Sequence, residues 1–197
     1  MKKQLTYIGV IAVAVFTLLS GACKKKQVKD PYTSLEGNYF SVRQFVLDEW
    51  NTFSGEPFVL VKTIKIGDKT DSCYTNSDTL DWSRLFKVFF ATEISDRKYL
   101  GKYNFTQFED NDDFTHNFFY EAKEDVDDLF TRKLLITIDA YSKMVKGIYI
   151  ETEKKTLLST TIQKLYYRPM KTIQIQTTEK ALFGDKKHTV EQYDFQR

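Results

Sequence analysis

The feature that most constrains the fold is an alternation of apolar and polar residues, which begins near Tyr99 and continues to the end of the chain. Ile173 and Ile175, for example, alternate with Gln174 and Gln176. Successive side chains of a β-strand point to opposite faces, so a period of two predicts strands with one apolar face. Seven strands are expected, over residues 99–108, 114–123, 132–141, 146–153, 156–168, 170–179 and 188–195.

The joints between these strands favour pairing in chain order. Most are short and polar, which is typical of antiparallel neighbours and too short for crossover connections. Pro169 falls between two of the strands, where it fits a corner, since proline has no N–H for a central ladder. We therefore expect a long antiparallel meander with one apolar face and one face that is wet or faces a ligand.

Two helices are predicted before the meander. Apolar residues from Val42 to Phe53 recur at steps of three and four, and Gly55 and Pro57 end this helix. A β-rich run follows over 58–66, then a turn-rich segment over 67–76. The second helix has Ser77 or Asp78 as its cap. Its apolar face consists of Trp82, Leu85, Phe86 and Phe89.

The predicted fold class is therefore α+β, a curved antiparallel sheet with a half-barrel-like meander and two amino-terminal helices packed on it. This layout is similar to that of the LolA/LolB lipoprotein carriers, and more loosely to lipocalin-like envelope lipoproteins. The resemblance is one of layout alone, and no functional residue is carried over from it.

The amino terminus carries a separate signal. Two lysines precede an uncharged, mostly apolar run of 12 residues, from Ile8 to Leu19, and small residues occupy positions 20–22. A run this short is typical of a secretory signal, because a membrane-spanning helix needs about 20 apolar residues. With Cys23 directly after the small residues, the segment resembles a bacterial lipoprotein signal. The resemblance implies cleavage before Cys23, a diacylglycerol thioether on its sulfur and acylation of the new amino terminus.

This resemblance divides the chain into a signal peptide (1–22), a lipidated tether (23–37) and a single α+β domain (38–197). Two or three acyl chains exceed the single chain that gives only marginal binding, so they should anchor the protein stably on a membrane. Lysines follow Cys23, whereas the surface-export tag of some lipoproteins is acidic. The expected location is thus the cell envelope, with the lipid anchor in the outer membrane and the domain on its periplasmic face.

Charge excludes one class of partner. The mature chain has 27 basic and 27 acidic residues; residues 24–30 carry a local charge of +3, which leaves the rest at −3. Nucleic-acid binding needs a clustered basic face, so no nucleic-acid partner is expected. The tether lysines either contact anionic lipid head groups or form a solvated spacer.

Few residues suggest catalysis. Cys73 lies in a polar stretch without histidine, so it is interpreted as a structural thiol, with an intermolecular disulfide or a nucleophile as alternatives. His116 and His188 are 72 positions apart, and zinc needs three or four convergent ligands. No serine lies in a Gly-x-Ser-x-Gly elbow. We predict no enzyme activity and no cofactor.

Two acidic turns, 109–113 and 124–128, raise the question of calcium. Asp110, Asp112 and Glu121 fall at the first, third and twelfth places of an EF-hand loop, but phenylalanine and threonine occupy its fifth and sixth places. The turns also flank a single predicted strand, so they should lie at opposite ends of the sheet. We interpret both as solvated turns and predict no metal site.

The resulting hypothesis is a membrane-anchored, non-catalytic protein that binds an apolar or lipid ligand. Its ligand-facing residues would be Trp50, Trp82, Phe86 and Phe89, although such a stripe also serves to seat a helix on a sheet. The alternative is a structural or interaction module that docks onto another cell-envelope protein. A hydrolase is a third possibility, for which no spacing of nucleophile and base is visible.

Overall fold

The structure, a computed structural model, describes residues 39–196. The signal peptide, the tether and Cys23 lie outside the described residues. Within this range there are two α-helices, a 3-10 turn (Arg97–Tyr99) and nine strands. The helices are α1 (Val42–Phe53) and α2 (Trp82–Phe90). The strands are β1 (Val59–Ile66), β2 (Lys69–Asn76), β3 (Tyr103–Asp110), β4 (Thr115–Ala122), β5 (Thr131–Asp139), β6 (Val145–Lys155), β7 (Ser159–Arg168), β8 (Thr172–Ala181) and β9 (Lys187–Gln196).

All nine strands form one curved antiparallel sheet in the order β2-β1-β9-β8-β7-β6-β5-β4-β3. The predicted meander is confirmed, since β3 to β9 pair strictly in chain order. The sheet is open, with β2 and β3 at its edges. The amino-terminal hairpin β1–β2 joins the far side through β9, with Leu60 opposite Phe195 and Lys62 opposite Tyr193.

The first helix forms as the sequence predicts. Ser41 caps it, because its hydroxyl accepts a hydrogen bond from the Gln44 N–H at 3.1 Å. The Ser41 hydroxyl also donates to Glu93, which follows α2 and accepts from the Arg43 N–H as well, both at 2.8 Å. Gly55, at a φ of +89°, ends the helical segment in a conformation that glycine adopts freely.

The second helix begins later than predicted. Neither Ser77 nor Asp78 is its cap: the Asp81 carboxylate accepts from the Arg84 N–H at 3.0 Å and from the Ser83 hydroxyl at 2.9 Å. Ser77 serves the preceding hairpin instead, because its hydroxyl donates to the Glu56 carbonyl and accepts from the Phe58 N–H.

The segment predicted to be turn-rich, 67–76, is also different. Only residues 67–68 turn, and Lys69–Asn76 form β2, paired with β1 along its whole length. Seven of its eight residues are exposed. An edge strand that is solvated on both faces buries no alternate residues, so it has no apolar alternation to reveal it in the sequence.

The core lies between the concave face of the sheet and the two helices. Tyr167 is at its centre, with ring centroids of Phe45, Phe86 and Phe89 at 5.9, 6.1 and 6.1 Å. Isoleucines and leucines of β5 to β8 form the buried floor, which includes Leu134, Ile136, Ile148, Ile150, Leu165 and Ile173. Across residues 39–196, neither helix has the length and apolar character needed to cross a bilayer.

Candidate functional site: a cleft beside the second helix

The four aromatic residues singled out in the sequence lie together. Trp82 is stacked on Phe86 at 5.5 Å, and Trp50 approaches Trp82 to 5.1 Å between ring centroids. Trp82, Phe86 and Phe89 are buried, and Trp50 is half-buried. The Trp82 indole donates to the Ser77 carbonyl at 2.8 Å, which satisfies its buried N–H.

These rings fill the space between the two helices and the sheet. The apolar recess that remains beside Trp50, Trp82 and Phe86 has a volume of about 230 Å³ and is completed by Leu47 and Phe90. Pockets for small ligands usually exceed about 300 Å³. The aromatic cluster therefore packs the helices onto the sheet and offers only a shallow recess.

A larger space lies on the other side of α2. This cleft, of about 400 Å³, separates α2 from the concave face of β1, β9, β8 and β7. Apolar side chains form one part of its wall, namely Leu80, Leu85, Val88 and Ile175. Polar and charged side chains form the rest, namely Lys62, Asp81, Arg84, Gln163, Thr177, Glu191 and Tyr193.

Strand register and helical spacing bring these residues together. Lys62 of β1 is opposite Tyr193 of β9, and Glu191 is two residues before Tyr193 on the same face. On α2, Arg84 and Val88 are four residues apart and so share one side of the helix. The curved sheet passes beneath that side without touching it closely, and the cleft results.

A fixed polar network occupies the sheet side of the cleft. The Lys62 ammonium lies 2.9 Å from Oε1 of Glu191, and the Tyr193 hydroxyl donates to the same oxygen at 2.6 Å. The Lys62 nitrogen also lies 5.2 Å from the centroid of the Tyr193 ring, within cation–π range. Each of the three groups thus restrains the other two.

The pKa directions agree with this network. Burial alone would raise the pKa of Glu191, but hydrogen bonds from Tyr193 and Lys62, together with the Lys62 charge, lower it. Burial would likewise lower the pKa of Lys62, but its bond to Glu191 raises it. Burial and the bond to Glu191 both raise the pKa of Tyr193. At neutral pH the cleft therefore holds a carboxylate, an ammonium and a neutral phenol.

Arg84 differs from these three residues. Its side chain is exposed at the mouth of the cleft, and no side chain within 39–196 forms an ion pair or hydrogen bond with its guanidinium. Its charge is felt at two carboxylates of the cleft, Asp81 and Glu191, whose pKa values it helps to lower. A guanidinium left in this way is ready to bind an anionic group from outside the protein.

The remaining candidates from the sequence are dispersed. Cys73 is exposed on edge strand β2. His188 contacts Thr178 at 3.0 Å on the convex face, and His116 lies 3.2 Å from Glu109 near the opposite edge of the sheet. The two acidic turns lie at opposite ends of β4, as predicted. Among the described residues, no group of three or more His, Cys, Asp or Glu side chains converges as metal ligands.

The sequence contained a weak sign of the cleft. Lys62 interrupts the apolar face of β1, and Glu191 occupies a core-facing position of β9. A charged residue at an inward position of a strand calls for a partner. The pairing of these two residues, 129 positions apart, follows only from the closure of β1 onto β9.

Comparison with known proteins gives no relative: no family model, no curated protein and no solved structure matches the chain.

Proposed function

We propose that the protein is a lipid-anchored, non-catalytic binding protein of the cell envelope, and that the cleft beside α2 binds a small amphipathic ligand with an anionic head group. The observation that carries the proposal is the Arg84 guanidinium, which has no partner among residues 39–196 and lies at the mouth of a cleft of about 400 Å³ that is partly lined by Leu80, Leu85, Val88 and Ile175. A cleft of this size, with few convergent polar groups, is typical of small-molecule sites.

The two parts of the wall suit two parts of such a ligand. Leu85, Val88 and Ile175 offer apolar area, and burial of ligand area there would contribute roughly 25 cal/mol per Å². The Arg84 guanidinium would pair with a carboxylate, sulfate or phosphate. Lys62 is already neutralised by Glu191, so it adds polarity without requiring a second negative charge on the ligand.

The position of this site modifies the expectation from the sequence. The ligand would contact the face of α2 that bears Arg84 and Val88, while Trp82, Phe86 and Phe89 support that helix from behind. Trp50 and Phe86 would contribute only the shallow recess. The curved, open sheet, whose concave face is partly filled by helices, supports a carrier-like role, and the anchor at Cys23 would keep the domain beside the bilayer that supplies amphipathic molecules.

Decanoate is a suitable probe because it has one carboxylate and an alkyl chain short enough for the cleft. We expect native mass spectrometry of the full-length protein with decanoate to show one bound molecule. Arg84→Glu should lower its affinity by about tenfold, because the charge reversal removes an ion pair of up to about 1 kcal/mol and adds repulsion between the new carboxylate and that of decanoate.

Lys87→Glu is the matched control. Lys87 is exposed on the same helix, and its replacement by glutamate changes the charge by the same amount, but Lys87 does not line the cleft. The fraction of the Lys87→Glu variant that carries bound decanoate should equal that of the unmodified protein. Equal occupancy in Arg84→Glu and Lys87→Glu, or no bound decanoate in any of the three proteins, would contradict the proposal.

A second candidate function has one observation in its favour. Edge strand β3 exposes Phe105 and Phe108, and among the strands that the structure describes it pairs only with β4. An envelope protein could add a strand at this edge, which is a common mode of docking. Crosslinking in intact cells through a photoreactive residue at Thr106 should then recover one dominant protein, and a dispersed set of products would count against this function.

A further inference from the structure

Three neighbouring turns at one end of the sheet expose an unusual amount of apolar surface. Leu157 and Leu158 of the β6–β7 turn are 96% and 69% exposed, and Leu182 and Phe183 of the β8–β9 turn are 64% and 86% exposed. Ile66, beside the β1–β2 turn, is 60% exposed. Single exposed apolar residues are ordinary, but several in adjacent turns are typical of an interaction surface.

These turns form one structural unit, here called the tip (residues 65–69, 153–158 and 179–187). The Leu182 N–H donates to the Leu158 carbonyl at 2.7 Å, and the Gly67 N–H donates to the His188 carbonyl at 3.3 Å. The Thr156 hydroxyl bonds to the backbone of Ser159 in both directions, each at 3.0 Å. The exposed side chains therefore project from well-bonded turns.

The tip is also positively charged in a domain that is otherwise negative. It contains seven lysines and four acidic residues, whereas the rest of residues 39–196 contains 15 basic and 21 acidic residues. All seven lysines are exposed, and one of them, Lys155, pairs with Glu153 at 3.2 Å. The lysines are Lys65, Lys69, Lys154, Lys155, Lys180, Lys186 and Lys187.

We propose that the tip docks on the surface of an anionic lipid bilayer. In this arrangement the exposed leucine and phenylalanine side chains of the tip insert into the boundary between head groups and acyl chains, while the lysines of the tip contact anionic head groups. A nucleic acid would contact the lysines but would not bury the exposed leucines. The combination of both in one unit is what favours a bilayer.

The path of the chain agrees with this orientation. Tyr39, the first described residue, lies 5.5 Å from Tyr120 and 6.2 Å from Tyr103 between ring centroids. Tyr103 begins β3, so the described chain starts at the end of the sheet where the tip also lies. Residues 24–38 could extend to about 50 Å at most.

Attachment makes weak docking sufficient. With the proposed anchor at Cys23, the tip would meet the membrane at a high effective concentration, because both belong to one chain. The inference rests on the proposed anchorage for this proximity only. The adjacent β4–β5 turn carries Glu124, Asp125, Asp127 and Asp128, and repulsion between these carboxylates and the lipid head groups would tilt the domain toward the β6–β9 side.

The test uses the full-length acylated protein in vesicles that contain phosphatidylglycerol and a lipid with a nitroxide on its acyl chain. In a Cys73→Ser background, an environment-sensitive fluorophore is attached to Leu157→Cys or, as the control, to Tyr141→Cys. Tyr141 is similarly exposed but lies in the β5–β6 turn at the opposite end of the sheet. We expect about threefold or stronger quenching at position 157, because only that side chain reaches the acyl region.

Charge and salt provide the second measurement. High salt, or vesicles of phosphatidylcholine alone, should reduce the quenching at position 157. Lys186→Glu should do the same, whereas Lys171→Glu, an exposed lysine in the β7–β8 turn at the opposite end, should not. If the quenching at position 157 does not respond to salt, to phosphatidylcholine vesicles or to Lys186→Glu, the role of the tip lysines is overturned.

Other outcomes identify which proposal fails. Equal quenching at positions 157 and 141 would overturn docking by the tip. Shielding of position 157 without vesicles, rising with protein concentration, would assign the tip to a second copy of this chain and would also overturn it. Flotation with the vesicles is measured separately because it reports on the anchor, and a protein that fails to float contradicts acylation of Cys23. In that case, quenching measured with excess vesicles still tests whether the tip docks on the bilayer.

Discussion

At the scale of single residues, Glu191 is the residue on which the cleft depends. It accepts hydrogen bonds from Lys62 and Tyr193 and is partly desolvated, yet its pKa is lowered because those two donors outweigh burial. A carboxylate whose pKa is lower in the folded chain than in the unfolded chain stabilises the fold above the unfolded value, and that contribution is lost as pH falls through the folded value.

Glu191→Gln should therefore destabilise the protein mainly near neutral pH. We expect a loss of about 0.5 to 1 kcal/mol, because the pair is about a third exposed and so partly screened. The difference from the unmodified protein should shrink well below pH 4.5, the ordinary pKa of the group, since both chains are then neutral at this position. Urea unfolding at the two pH values measures it.

Glu179→Gln is the control for this prediction. Glu179 is exposed in the neighbouring strand β8, and its replacement by glutamine removes the same charge but leaves the contacts among Lys62, Glu191 and Tyr193 in place. A pH-independent loss in Glu191→Gln, or an equal loss in both variants, would show that the Glu191 charge contributes nothing specific.

At the scale of secondary structure elements, α2 carries both the aromatic cluster and the wall of the cleft. Trp82, Phe86 and Phe89 face α1 and the sheet, while Arg84 and Val88 face the cleft. The start of this helix is therefore decisive: a shift of one residue would rotate every side chain by about 100°. The Asp81 cap, which accepts from the Arg84 N–H, fixes that start.

Asp81→Ala should lower the free energy of unfolding by about 1 kcal/mol, the usual contribution of an N-terminal cap. Asp78→Ala, which removes a carboxylate three residues earlier that is not the cap, should change it by less than about 0.5 kcal/mol. Chemical denaturation of the two variants measures both values. A larger loss in Asp78→Ala would contradict the assignment of Asp81.

At the scale of the whole molecule, the edges of the sheet differ from its centre. Strands β5 to β8 have a neighbour on each side and carry the buried floor, whereas, within residues 39–196, β2 pairs only with β1 and β3 only with β4. Stability in such a sheet should be graded, since local opening needs fewer broken contacts at the edges.

Hydrogen exchange of backbone amides should reveal this gradient. Amides of β2 and β3 should exchange about tenfold or more faster than those of β6 to β8 under native conditions. Strand β1, one strand in from the edge, is the internal comparison and should lie between these limits. Protection of β2 equal to that of β7 would mean that its open edge is covered in solution.

Much of the architecture was accessible from local pattern. Strands β3 to β9 lie where the alternation predicts them, with bounds that differ by a few residues, because most of them turn alternate side chains toward the helices. Strand β3 is the exception, since Tyr103 is its only buried residue. β2 could not be found in this way, because it buries almost nothing. The cap at Asp81 was missed because Ser77 and Asp78 have equally suitable side chains, and only the path of the β1–β2 hairpin assigns Ser77 to another role.

For residues 39–196, the sequence by itself determined the class of fold, the presence of two helices and the order of the meander, since these follow from periodicity and short connections along the chain. It also located the aromatic stripe, but only the tertiary structure decided that this stripe is packed and that a cleft lies on the other side of α2. The cleft and the tip depend on which distant segments meet: Lys62 with Glu191, and the β6–β7 turn with the β8–β9 turn. Such meetings are set by the closure of β1 onto β9 and by the curvature of the sheet, which no local pattern records.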